Sequence, residues 1–207
     1  MKDYIDKIEK AERNYISAEI EVKTETREDE KELNSIEGVA AVVEKTTDLG
    51  WYDERIEKGA FDDVLNDDVR ALFNHDSNFP LARSNKGKGT LDLFITKKGD
   101  LGYRFDVPDR TFARDLQDAI KSGDVSQSSF AFRIKEEKWT YATKDNSLER
   151  DLRSITKMER LFDVSPVTYP AYKDTTVAAR SMETDHEKDN DHYKRSLRRR
   201  KFNSKYK

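Results

Sequence analysis

Apolar and polar side chains alternate with a period of two through much of this chain, the mark of strands with one buried face. Ile16, Ala18, Ile20 and Val22 alternate with Tyr15, Ser17, Glu19, Glu21 and Lys23, which predicts a half-buried strand over 15–23. Residues 36–43 form a near-continuous apolar run, which predicts a central strand, and the charged stretch 24–34 between the two predicts an exposed hairpin loop. Residues 69–76 predict a further strand, but their apolar positions fall on both faces, so alternation does not say where His75 points. Leu91, Leu93 and Ile95 alternate on one side of Lys98-Gly99-Asp100, and Leu101, Tyr103, Phe105 and Val107 on the other, as in a hairpin. Strand patterns return at 127–134, at 138–141 as a separate piece, and from 154 onward. In the last, Phe162 and Val164 share one face while Leu161, Asp163 and Ser165 share the other.

Two stretches break this rhythm. Phe112, Leu116, Ala119 and Ile120 recur at helical spacing after Pro108-Asp109-Arg110-Thr111, and Gly123 stops the pattern. A shorter helix is predicted from about Asp62 to about Asn66, with Asp62 and Asp63 near its positive end. Gly50 and Trp51 lie in a loop over 46–52, Lys86-Gly87-Lys88-Gly89 is a turn, and 143–152 reads as a polar loop. Many strands with one long and one short helix predict a β-rich α+β fold, a barrel or sandwich with attached helices.

Composition adds limits. Hydrophobic residues make up 35% of the 207 and charged residues 39%, poor in apolar material for a fully globular chain. The charge gathers at the ends. Residues 1–14, with Tyr4, Ile5 and Ile8 as their large apolar members, predict a short amphipathic helix or a frayed end. Residues 182–207 predict a disordered tail, acidic and polar at first, then basic around Arg198-Arg199-Arg200-Lys201. That cluster suits an acidic partner or nucleic acid, and equally a solvated tail. The folded domain is expected over 15–181. The net charge of −3 gives no global field of a nucleic-acid binder. With no cysteine, disulfides and thiolate metal sites are excluded, and three histidines make a histidine-rich metal site a poor expectation, so no metal or cofactor is expected. No apolar run reaches the roughly 20 residues of a membrane span, and the N-terminus does not read as a signal peptide. A soluble, cytoplasmic protein is expected.

The chemistry centres on Gly123-Asp124-Val125-Ser126-Gln127-Ser128-Ser129-Phe130-Ala131-Phe132-Arg133-Ile134. Alternation turns Ser128, Phe130, Phe132 and Ile134 to the core and leaves Gln127, Ser129, Ala131 and Arg133 on the open face. Ser129 is then a hydroxyl within a substrate's reach, whereas Ser128, the rival nucleophile, points inward. A serine needs a base to take its proton, and an imidazole does this near neutral pH. A carboxylate on the second ring nitrogen fixes the tautomer and stabilises the imidazolium. His75 is the one histidine inside the expected domain, since His186 and His192 fall in the tail, and Asp163 supplies a carboxylate at a strand position. Residue types alone leave another reading open. Serines also start strands and satisfy turns, and a histidine between Asn74 and Asp76 also serves as a structural hydrogen bonder.

Five blocks in order add a resemblance: 36–43, 54–61, Ala71-Leu72-Phe73-Asn74-His75-Asp76, Ser128-Ser129-Phe130-Ala131-Phe132, and 162–172. Together they resemble the tailed-phage (caudovirus) prohead maturation serine proteases, which are similar in fold to the herpesvirus assemblin proteases. The resemblance implies a β-barrel of about six to eight mainly antiparallel strands with peripheral helices. It implies Ser129 as nucleophile and His75 as general base. The orienting acid, commonly glutamate before Val-Ser in the family, is Asp163 here, with Glu159 as the fallback. Arg133, on the Ser129 face, is a candidate for oxyanion support; a surface salt bridge is its ordinary alternative. Implied substrates are capsid-protein and scaffold segments and the protease itself, cut inside the assembling procapsid in the host cytoplasm, with a homodimer as the expected form. Two other classes stand against this: a catalytically inactive capsid assembly or scaffolding protein, and a nucleic-acid binder acting through 198–201.

Overall fold

The computed structural model describes residues 12–16, 20–26, 32–146 and 148–169. Along the chain these give β1 (Glu12–Ile16), β2 (Ile20–Thr26), β3 (Glu32–Ala41), β4 (Thr46–Asp48), β5 (Asp53–Ile56), β6 (Val69–Phe73) and β7 (Asp76–Asn85). β8 (Lys88–Gly89), β9 (Leu91–Ile95), β10 (Leu101–Asp106), α1 (Thr111–Ser122), β11 (Gln127–Thr140) and β12 (Leu152–Val167) follow. The charged tail expected over 182–207 lies outside the described residues. The extension expected over 1–14 lies outside them up to residue 11.

The strands make two sheets, one in the order β1-β11-β12-β6-β7-β8 with β4 and β5 attached beside β12, the other in the order β2-β3-β10-β9. The strand-rich expectation therefore holds. The peripheral helices reduce to one α-helix, and neither sheet closes into a barrel, among the described residues. The break falls where the chain leaves one sheet for the other. β8 still pairs with β7, while β9 pairs with β10. Gly89, at φ 141°, makes that corner possible, because a Cβ there would stand 2.1 Å from the Arg83 carbonyl oxygen.

β12 is the spine. It pairs antiparallel with β11 along one edge. On the other edge it pairs in parallel with β5 at 152–155 and with β6 at 163–164. Between these contacts the chain over 57–68 stays against β12: the Met158 N–H donates to the Ala60 carbonyl at 2.9 Å, and the Leu161 N–H to the Asp67 carboxylate at 2.9 Å. The short helix expected there is instead a run of tight turns, with the N–H groups of Ala60, Asp62 and Val64 bonding to the third residue back. Ala60 spends its carbonyl on β12, and Phe61 and Val64 are buried, so lateral bonding replaces the helical ladder.

Other boundaries moved for similar reasons. The strand expected over 15–23 is split between sheets: Tyr15 pairs with Ser129 in β11, whereas Val22 pairs with Ile36 in β3. The loop expected over 24–34 is shorter, since pairing continues to Thr26 opposite Glu32. The separate strand at 138–141 belongs to one continuous β11, paired with β12 as far as Thr140. α1 forms as its periodicity predicts, and Gly123 ends it in the left-handed region at φ 86°, its N–H donating to the Ile120 carbonyl.

The core gathers Ile36, Phe61, Tyr103, Phe105, Phe130, Phe132 and Leu161, all buried. Tyr103 joins the sheets. Its neighbour across the ladder is Gly38, where a Cβ would stand 2.7 Å from the phenol oxygen, so the ring lies over bare backbone. Its hydroxyl meets the Ser128 hydroxyl at 2.7 Å in the buried interior. Burial pushes the phenol pKa well above its ordinary value, so the group stays a neutral hydrogen bonder.

Candidate active site

β11 and β12 supply two of the three candidate groups. In their antiparallel register Ser129 lies opposite Ser165, and Ala131 opposite Asp163. Residues two apart on a strand share a face, so Ser129, Ala131, Asp163 and Ser165 project together. Ser129 and Asp163 are thus diagonal neighbours, roughly 7–8 Å apart at Cα. That gap admits one imidazole with a hydrogen bond at each nitrogen.

His75 fills it from a third strand pair. Phe73 pairs with Asp76, so Asn74-His75 is the two-residue turn of the β6–β7 hairpin. Both residues are left-handed, at φ 53° and 59°, as a tight hairpin turn of this length requires. Asparagine and histidine tolerate that region better than most residues with side chains. Alternation could not orient His75 because the residue sits in the turn, not within a strand. The turn leans over the end of β12, where the Asn74 N–H donates to the Pro166 carbonyl at 3.0 Å.

The resulting chain is continuous. His75 Nε2 lies 2.6 Å from Ser129 Oγ, and His75 Nδ1 lies 2.6 Å from Asp163 Oδ1. An ionised carboxylate only accepts, so Asp163 takes the Nδ1–H, and the neutral ring offers its Nε2 lone pair to the serine hydroxyl. Ser165 adds a bond that sequence reasoning missed, its hydroxyl donating to the same Oδ1 at 2.8 Å. Its signal was available in the Asp163-Val164-Ser165 spacing, which puts hydroxyl and carboxylate on one face.

Ser129 is not on an open face. It is 0% exposed, as are Ala131 and Ser165, and Asp163 is buried with them. Period two tells which way a side chain points but not what lies over it. Ser128 points to the opposite side, into the core, as expected.

The remaining candidates are Arg133 and Glu159. Arg133 Nε stands 3.7 Å from the Glu159 carboxylate, and its guanidinium lies over the Phe162 ring at 5.6 Å. A bulge in β12 at Phe162, where Ala131 pairs with Asp163 and Phe132 with Leu161, leaves Phe162 without a partner across the ladder. Glu159, the fallback acid, faces Arg133, and it is Asp163 that reaches His75. Among the described residues no group of three His, Cys, Asp or Glu side chains is placed to hold a metal ion. No helix among them is long and apolar enough to cross a membrane.

A buried Ser–His–Asp relay of this geometry can move a proton from a hydroxyl to an imidazole while a fixed carboxylate balances the charge. A family model described as caudovirus prohead serine protease matches residues 19–190. Among solved structures, the bacteriophage T4 capsid assembly protease gp21 is similar, with 16% identity, a TM-score of 0.43, and coverage of 75% of this chain and 98% of that one. No curated protein matches the sequence.

Proposed function

The chain belongs to the caudovirus prohead serine protease family, and from that premise we propose that it matures procapsids by acyl transfer, with Ser129 as nucleophile, His75 as general base and Asp163 as the orienting acid. One observation carries the assignment: the two 2.6 Å hydrogen bonds that join these side chains through the two nitrogens of one ring. His75 Nε2 takes the Ser129 proton as Oγ bonds to the peptide carbonyl carbon. The imidazolium returns that proton to the amide nitrogen as the C–N bond breaks, leaving an acyl-serine. Water then attacks, giving a proton to His75, and the proton passes back to Ser129 Oγ as the acid product leaves. Asp163 holds the Nδ1–H throughout. Because Ser129 is buried, a peptide enters only when its face opens.

In this reading residues 15–181 are the protease domain, flanked by a charged extension over 1–14 and the tail over 182–207. The substrates are capsid-protein and scaffold segments and the enzyme itself, inside the assembling procapsid in the host cytoplasm. A homodimer, and contact of the basic tail with an acidic partner or nucleic acid, belong to the same proposal. So does the herpesvirus-protease-like barrel.

The experiment is co-expression of wild type and Ser129→Ala with the cognate capsid protein. Fragments from wild type and none from the variant are expected. Identical fragments from both would overturn the nucleophile. No fragments from either would favour the inactive assembly protein.

A further inference from the structure

We propose that Ser165 is a positioning residue, whose hydroxyl holds the Asp163 carboxylate in the orientation that His75 uses. The inference rests on the Ser129–His75–Asp163 assignment above. Asp163 Oδ1 receives two donors, His75 Nδ1 at 2.6 Å and Ser165 Oγ at 2.8 Å. Torsion about the last bond of an aspartate side chain is soft, so a single hydrogen bond leaves the carboxylate free to swing about the shared oxygen. A second donor, from the same strand and the same face, fixes the direction from which Oδ1 meets the ring. The Ser165 hydroxyl has one proton, and an ionised carboxylate can only accept it, so the direction of the bond is settled.

Burial raises what this bond is worth. Ser165 is fully buried and Asp163 nearly so, so water does not replace a lost donor freely. Position in the sheet matters as well. Ser165 is the residue directly opposite Ser129, and Asp163 follows on the same face one step along the diagonal. The strand that faces the nucleophile therefore carries both the acid and the group that aims it. Residue Val164, between them, turns to the core and is buried there, which fixes the facing of its two neighbours.

The test uses the full-length enzyme and a peptide spanning the junction it cuts in its capsid protein. Ser165→Ala is expected to lower kcat about ten- to a hundred-fold, the range for a hydrogen bond to a charged group, with KM unchanged. Ser165→Thr keeps the hydroxyl and should restore most of the loss. In an Asp163→Ala background, Ser165→Ala should have no further effect, since its target is gone. A Ser165→Ala enzyme with wild-type kcat would overturn the proposal. So would an equal loss in Ser165→Thr, or a loss that persists without Asp163, because either describes packing and not aim. If Asp163→Ala alone leaves kcat intact, it is the triad assignment that fails, a result distinct from the others.

Discussion

Asn74 and Thr168, 94 residues apart in the chain, grip each other twice: the Thr168 N–H donates to Asn74 Oδ1 at 2.9 Å, and Asn74 Nδ2 donates to Thr168 Oγ1 at 3.2 Å. The pair ties the hairpin turn that bears His75 to the end of the strand that bears Asp163. Asn74→Ala removes both bonds and puts a Cβ without a polar partner in the left-handed region, a cost of about 1–2 kcal/mol. We expect a lower melting temperature and a loss of kcat about ten-fold or more, as the imidazole loses its fixed approach. Asn74→Gly accepts the backbone without strain but lacks the clamp. It should recover melting temperature and not activity, and recovery of both would show that the clamp does not position His75.

Replacing Asp163 with asparagine keeps the shape of the side chain and changes its chemistry. The amide can present an N–H to Nδ1, which would hold the ring in the tautomer with its proton on Nε2, where it cannot accept the Ser129 hydroxyl. Peptide cleavage should fall by roughly 10³- to 10⁴-fold with the fold retained, measured as kcat beside a circular dichroism spectrum. A loss under ten-fold would mean that another acid orients His75, and Glu159 would be the next to change.

The Tyr103–Ser128 bond, 2.7 Å and buried, joins the two sheets directly behind the candidate nucleophile. Tyr103→Phe leaves the Ser128 hydroxyl in the core without its partner, at about 1–3 kcal/mol in urea denaturation. The double variant with Ser128→Ala removes both ends and should be more stable than Tyr103→Phe alone. Equal stabilities for the two would show that the hydroxyl finds another partner.

Asp68 neutralises two guanidinium groups on the β6–β7 hairpin. Its carboxylate receives Arg83 Nε at 2.7 Å and Nη2 at 3.0 Å, with Arg70 at 3.3 Å, and Arg70 and Arg83 are directly opposite across the ladder. The Arg83 bonds, ahead of the Arg70 charge, hold the Asp68 pKa below its ordinary 3.8. A carboxylate depressed on folding stabilises the native state above its unfolded pKa, and that contribution is lost as pH falls through the folded value. Asp68→Asn should therefore cost up to about 1 kcal/mol at neutral pH, less in high salt, and flatten the fall of stability below about pH 4. Urea midpoints at pH 3 and pH 7 decide it. An undiminished acid dependence in the variant would assign the effect elsewhere.

Local periodicity by itself determined a good part of this protein. Period two turned Ser128 inward and set Ser129 and Arg133 on the other side, and it set Asp163 and Ser165 on one face. Helical spacing with a glycine stop defined α1. These follow from each residue's own backbone geometry, which the neighbouring few residues dictate. What tertiary structure decided was which strands lie beside which. It split the 15–23 pattern between two sheets, replaced the short 62–66 helix with turns bonded to β12, and made His75 a turn residue whose neighbour Asn74 is pinned by Thr168. It also covered the face that Ser129 was expected to expose. Each of these depends on hydrogen bonds or packing between segments distant in the chain, and the period of a single strand carries no record of its partner.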